Sequence, residues 1–294
     1  MHQEEVSSTY LQHIVDSAHR KSFDPYKHID WQVPFDCSRF YFPQDLITLY
    51  ETPLWDRMTH EERVRLSMHE AASTLAAGIW FENLLCFKMA DYLTNVSPHD
   101  THFYWMQIEV ADECRHSMMF AEVIKRAGVP WYNPRFANLM AFFTKYLTPK
   151  ASMIMGTLIA EAVTDYLNRR IARDPECHPA MRELSRIHII EEARHLGYAR
   201  EWLKVNWPKL GPVQREWTRR DALVSTSIMA SILIHPDVYK NCGLPAEART
   251  MARRNPHTCK TILEASAEVT KFLMELGVIN ERLAPKWRAA GLIA

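Results

Sequence analysis

Asp112-Glu113-Cys114-Arg115-His116 and Glu191-Glu192-Ala193-Arg194-His195 are two copies of one block: an acid, then Glu-x-Arg-His. On a helix, residues three apart share a face, so the Glu and His of each block can hold one metal ion together. Dinuclear sites inside helix bundles use two such Glu-x-x-His pairs, with one further Glu from each of two other helices. The two blocks therefore predict two more glutamates on apolar helix faces. Both are present: Glu82 within GIWFENLLCF (78–87) and Glu161 within MGTLIAEAVTDYL (155–167). A carboxylate in such a run is costly to bury unless it is paired or metal-bound. The separation from Glu82 to Glu113 is 31 positions, and from Glu161 to Glu192 it is again 31. A single Glu-x-x-His is common and decides nothing. Two blocks, two apolar-face glutamates and one repeated spacing together point to a dinuclear metal site. Mixed oxygen and nitrogen donors suit iron or manganese better than a thiolate-rich zinc or iron–sulfur site.

The periodicity around these blocks gives the fold class: all-α, a ferritin-like long-helix bundle with additional N- and C-terminal helices. Thr59 and Glu62 form a capping box that starts a long helix. A second is expected from about 97 to 127, stopped by Gly128, and others over 149–174 and 179–206. Weaker patterns predict helices near 5–21, 134–147, 210–234, 245–253, 257–276 and 279–290. Only 8 of the 294 residues are Gly, and strand-like alternation is absent, which disfavours a β-rich fold. A single domain is expected over 1–294. It comprises an N-terminal arm (1–57) punctuated by Pro25, Pro34, Pro43 and Pro53, a four-helix core (58–206) and C-terminal helices (207–294).

The charge balance is neutral, with 35 Lys+Arg against 35 Asp+Glu, so no electrostatic footprint for nucleic acid is expected. No uncharged apolar stretch reaches the ~18 residues of a membrane span. The N-terminus lacks the apolar segment of a signal peptide. The expectation is a cytoplasmic protein without a membrane partner, its six cysteines reduced and mostly packed. A homodimer is the assembly to look for.

The halves differ at one position. His188 lies one turn before Glu192, whereas Glu109 lies one turn before Glu113. His188 is read either as a third histidine ligand or as a core histidine. Asp112 and Glu191 can each reach a histidine on the facing helix, Asp112 to His195 and Glu191 to His116, or can pair with Arg115 and Arg194. Gly78 either clears space beside the metals or allows close helix packing. Trp80, Trp105 and Trp202 read as core.

The set Glu82, Glu113, His116, Glu161, His188, Glu192 and His195 resembles the ligand pattern of the AurF-type diiron N-oxygenases, p-aminobenzoate N-oxygenase-like members of the ferritin-like superfamily. The resemblance implies two Fe ions, with O2 as co-substrate. Glu82, Glu113 and His116 would serve the first iron, and Glu161, His188, Glu192 and His195 the second. It also implies oxidation of an aryl amine to hydroxylamine, nitroso or nitro products by an iron-bound peroxide, and an external electron donor, a reductase or ferredoxin. An aromatic acid substrate would call for an arginine near the metals, and Arg249, Arg253 and Arg254 are the C-terminal candidates. Three alternatives remain: a diiron oxidase acting on C–H bonds, such as a hydroxylase, desaturase or halogenase; a ribonucleotide reductase small subunit, disfavoured by Phe120 where that family has a radical tyrosine; and a ferritin-like iron-binding protein without catalysis.

Overall fold

The local signals read from the sequence start and stop the helices of the computed structural model, which describes residues 6–134 and 148–294. Thr59 Oγ1 accepts the Glu62 N–H (3.2 Å) while Glu62 Oε2 accepts the Thr59 N–H (2.8 Å). This closed box launches α4, His60–Leu93. Helix α5, Thr101–Ala127, begins later than the expected 97, because Ser97 and Asp100 form a turn and the Asp100 carboxylate caps the His102 N–H. It ends where Gly128 turns left-handed at φ 64°. Helices α6, Lys150–Arg173, and α7, Pro179–Asn206, complete the four long elements.

Before the core come α1 (Ser8–Arg20), α2 (Pro25–His28) and α3 (Pro53–Arg57). In α2 and α3, Pro occupies the first turn and Asp24 or Thr52 caps it, so prolines that read only as loop punctuation also start short helices. After the core come α8 (Pro212–Ile232), α9 (Asp237–Asn241), α10 (Ala248–Arg254), α11 (Pro256–Glu275) and α12 (Ala284–Ala289). The last is shorter than the helix expected over 279–290, because Gly277 (φ 75°) and an Asn280-capped turn separate it from α11. The helix expected over 134–147 lies outside the described residues. Among those residues the non-helical pairing is one isolated bridge, Phe40 to Cys177.

Helix α4 packs along α5, and α6 along α7. The bundle is therefore two helix pairs laid together. Its apolar interior divides into two clusters. One gathers Phe40, Tyr41 and Ile47 of the arm with Leu75, Phe120 and Leu184. The other gathers α1 with Leu85, Trp105, Leu158, Trp202 and the C-terminal helices. The arm is thus part of the core rather than a peripheral strap. Glu82, Glu113, Glu161 and Glu192 fall along their helices between residues of the first cluster and residues of the second. Dry packing on both sides isolates a polar layer from water, which strengthens every electrostatic interaction inside it.

The segment Pro212–Asn241 is long and apolar enough, by length and composition, to qualify as a membrane-span candidate. Residues on one side of it, Met229 and Leu233 among them, line a cavity, and α8 packs on α6. Cys177 is buried and Cys37, Cys86 and Cys242 are part-buried, in line with mostly packed thiols, while Cys114 and Cys259 are exposed.

Candidate metal centre

Each long helix delivers its acidic side chains to the polar layer. Glu82 comes from α4, Glu113 and His116 from α5, Glu161 from α6, and His188, Glu192 and His195 from α7. All seven are buried, Glu113, His116 and Glu192 to 0% exposure. They fall into three overlapping groups whose potential ligand atoms lie within 4.8 Å of one another: Glu82 with His116 and His188, Glu113 with Glu192 and His195, and Glu161 with His188 and Glu192. The group of Glu161, His188 and Glu192 follows the division suggested by the resemblance, and His188 also reaches the other set. His188 shares one group with Glu82 and His116, and its ring centroid is 4.5 Å from that of His116. Its Nε2 lies 3.8 Å from Glu82 and 4.0 Å from Glu192.

Around His116, Nδ1 faces Glu113 (3.3 Å) and Glu192 (3.2 Å), while Nε2 meets Glu191 Oε2 at 2.9 Å. Glu191 thus holds the outer nitrogen of His116, and the inner nitrogen faces the carboxylates. This outer support is how ligating imidazoles are commonly oriented. The other expected pairing is not made. Asp112 Oδ2 stands 3.6 Å from His195 Nε2, without a hydrogen bond, and instead takes Arg194 at 2.9 Å and Arg115. Three contacts escaped the sequence reading: Ser117 donates to Glu82 Oε2 (2.8 Å), Thr164 donates to Glu161 Oε2 (3.3 Å), and the Asn168 amide lies 3.0 Å from His188 Nδ1. Small polar residues at i+3 or on a facing helix are too common in sequence to single these out.

The electrostatics of the layer are unbalanced. Burial, and then neighbouring carboxylates, push Glu161 well above the usual range. Burial raises Glu82 too, against the pull of the nearby His188 imidazole. Burial also opposes the charge of Glu192, but the imidazoles of His195 and His116 beside it outweigh burial and hold Glu192 well below. His116 and His195 are held well above the ordinary imidazole range despite burial, by the glutamates around them. Glu113 Oε1, both oxygens of Glu192 and both ring nitrogens of His195 make no hydrogen bond. Yet His195 Nδ1 is 3.2 Å from Glu113 and 3.0 Å from Glu192. Unbonded donors this close and this buried are expensive as they stand. They fit divalent transition-metal ions, whose charge and coordination would satisfy carboxylates and imidazoles at once.

A cavity of about 170 Å³ adjoins the layer. Its lining includes Glu82, Glu161 and His188, and is otherwise mainly apolar, with Phe81, Phe120 and Met229 among it. Much of the far wall comes from α8, including Asp221, Met229 and Ile232, which the sequence showed only as a helix near 210–234. Arg249, Arg253 and Arg254 are not among the lining residues, where the one cation among the described residues is Lys88. A Cβ on Gly78 would stand 2.9 Å from the Phe120 ring, so close packing accounts for this glycine, and Phe120 in turn stacks on His188 at 5.6 Å. Trp105 and Trp202 are fully buried core, and Trp80 lines the cavity.

Comparison with known proteins places this site in a family. The chain is 25% identical over 280 residues to uncharacterized proteins of Mycobacterium tuberculosis and Mycobacterium bovis, over 92% of this chain and 82% of theirs. Two solved variants of an R2-like ligand-binding oxidase, each with a reconstituted Mn/Fe cofactor, share the fold. One has TM-score 0.53 at 13% identity, covering 92% of this chain and 93% of that one. The other has TM-score 0.52 at 12% identity, covering 95% and 99%. The family model described as P-aminobenzoate N-oxygenase AurF matches residues 4–277, and the chain belongs to the AurF family.

Proposed function

We propose that the protein is an O2-dependent non-haem dinuclear-iron oxygenase that oxidises the nitrogen of a small, largely apolar aryl amine. The observation that carries this reading is the convergence of seven buried Glu and His side chains from four helices onto one layer, with a mainly apolar cavity reaching three of them. Glu82, Glu113, His116, Glu161, His188, Glu192 and His195 would hold the two irons, and Glu192, which belongs to two of the three groups, would be shared. Bound iron would supply the redox chemistry with O2, and an external reductase or ferredoxin the electrons.

The chain's own residues set the conditions for that chemistry. Glu191 fixes the ring of His116, and Asn168 stands at the outer nitrogen of His188. An amide turned oxygen-first at that position accepts Nδ1–H and leaves Nε2 as a donor. Phe81, Phe120 and Met229 offer an apolar wall that excludes water and suits an aromatic ring.

The test is to reconstitute the protein anaerobically with ferrous ion, add O2 and a panel of aryl amines, and identify products by mass. Hydroxylamine or nitro products are expected, with about two metal ions per chain. Hydroxylation or desaturation at carbon would move the assignment to a C–H oxidase, a chemistry the same scaffold can host. Metal analysis also distinguishes two irons from the Mn/Fe pair of the solved R2-like oxidases. Protein that binds no metal would overturn the reading.

A further inference from the structure

Glu109 is a buried acid that none of the seven-residue ligand set accounts for. It lies on α5 one turn before Glu113, at 4% exposure. Its Oε1 is 4.0 Å from His195 Nδ1, and its Oε2 has no hydrogen-bond partner. No arginine or lysine pairs with it among the described ion pairs; its basic neighbour is His195. The same His195 nitrogen faces Glu192 at 3.0 Å and Glu113 at 3.2 Å, so three carboxylates surround one imidazole nitrogen. Carboxylate and imidazole donors bind first-row metals at about 2.0–2.2 Å, so two donors of one ion can stand no further apart than roughly 4.2 Å. All three distances to His195 fall within that limit; Glu109 stands just outside the group formed by Glu113, Glu192 and His195 and would close on the ion when it binds.

We propose that Glu109 is a direct ligand of the metal on the His195 side, an eighth protein donor that does on α5 what His188 does on α7. The inference rests on the dinuclear reading above and adds to it an asymmetry. Glu109, Glu113, Glu192 and His195 gather away from the cavity, and none of them lines it, whereas Glu82, Glu161 and His188 do. The inner ion is thereby enclosed by protein donors. The positions open to O2 and amine belong to the ion beside the cavity, where the lining residues supply fewer donors.

The test uses metal binding rather than turnover. Wild type, Glu109→Ala, Glu109→Gln and Glu109→His are titrated anaerobically with ferrous ion against a competing chelator. Bound metal is counted, and each metal-free protein is melted. Wild type should bind two ions. Glu109→Ala should bind one as wild type does and the other at least about 100-fold more weakly, beyond the 10–100-fold of losing an outer partner. Glu109→His, which restores a donor, should recover most of the loss. If Glu109→Ala melts too low to be read, the near-isosteric Glu109→Gln gives the answer, because a neutral amide is a much poorer donor. Wild-type affinity for both ions in the Ala or Gln variant overturns the proposal and leaves the seven-ligand site standing. A wild type that binds no pair of ions overturns the dinuclear reading itself.

Discussion

The two helix pairs, α4–α5 and α6–α7, are the same device built twice and finished differently. Adding 79 to Glu82, Asp112, Glu113, Arg115 and His116 gives Glu161, Glu191, Glu192, Arg194 and His195. The matched residues reach one layer, yet their supports diverge. Glu191 has one methylene more than Asp112, and it bonds His116 at 2.9 Å, while Asp112 falls short of His195 at 3.6 Å and binds arginines instead. Glu109 opposes His188 in the same register. Gly78, which admits Phe120, corresponds to Thr157. A duplicated scaffold thus keeps the Glu and His positions and varies the residues one turn or one methylene away, and these decide how firmly each imidazole is held.

The largest expected effect comes from removing the group both halves share. Glu192 lies within reach of His116, His188 and His195, so Glu192→Ala should abolish stable binding of both ions, whereas His188→Ala should weaken one by more than about 100-fold. Metal counting by mass spectrometry checks both. Retention of two ions by the Glu192 variant would end the idea of a shared ligand.

A second contrast lies within α4, which carries one buried acid in the metal layer and one outside it. Glu70 is fully buried and bonds the Thr48 N–H (3.0 Å) and the Thr48 hydroxyl; burial, against those bonds, raises its pKa to about 7. The first half alone has such a group, for the corresponding position is Pro149. Because the folded value lies above the unfolded value of 4.5, the fold favours the protonated acid. Stability is full below about pH 4.5 and is lost as pH rises towards 7, by roughly 3 kcal/mol. Glu70→Gln should therefore be more stable than wild type at pH 8, by up to that amount, and nearly equal to it at pH 4.5. Denaturant melts at both pH values decide the matter, and a pH-independent difference between the two proteins would contradict the assignment. Metal loading should leave the difference unchanged.

Swapping the outer carboxylates sharpens the comparison at a smaller scale. Glu191→Asp retracts the carboxylate from His116 and should cost about 10–100-fold in metal affinity. Asp112→Glu lengthens a side chain already committed to arginines and should change affinity less. Equal losses in chelator competition would mean that the two carboxylates do the same job after all.

What the sequence made legible was what repeats. The Glu-x-x-His blocks, the apolar-face glutamates and the capping box at Thr59 are local patterns with a geometric meaning, and the structure brings those residues together. The arm's entry into the core was illegible, because Phe40, Tyr41 and Ile47 are scattered among prolines and show no period. The cavity wall from α8 was also hidden, because a helix pattern does not announce which partner it faces. His188 was assigned with Glu161, Glu192 and His195; it does group with Glu161 and Glu192, and it also stands with Glu82 and His116. Sequence spacing locates a side chain along a helix, but the packing of α7 against α5 and α6 decides which neighbours it meets.

The smallest expected effect concerns Gly78, and it measures how tightly the first half is packed against the metal layer. An alanine Cβ there would meet Phe120 Cε2 at 2.9 Å and Cδ2 at 3.1 Å, contacts that force a shift. Phe120 is 5% exposed and stacked on His188, so it cannot yield without disturbing that imidazole or entering the cavity. Overpacking of this kind costs typically 1–3 kcal/mol. Alanine in place of glycine inside a helix returns about 1 kcal/mol. The net loss for Gly78→Ala should be at most about 2 kcal/mol, seen as a fall in Tm of a few degrees. Phe120→Leu in the same chain removes the ring edge that the new methyl meets. The double variant should therefore be more stable than the sum of the two single changes predicts, a coupling readable from a double-mutant cycle. Additive effects would mean that Phe120 relaxes freely and that the glycine is not there to admit it. The substitution of Thr157, its counterpart in the second half, by alanine should show no coupling to Phe120.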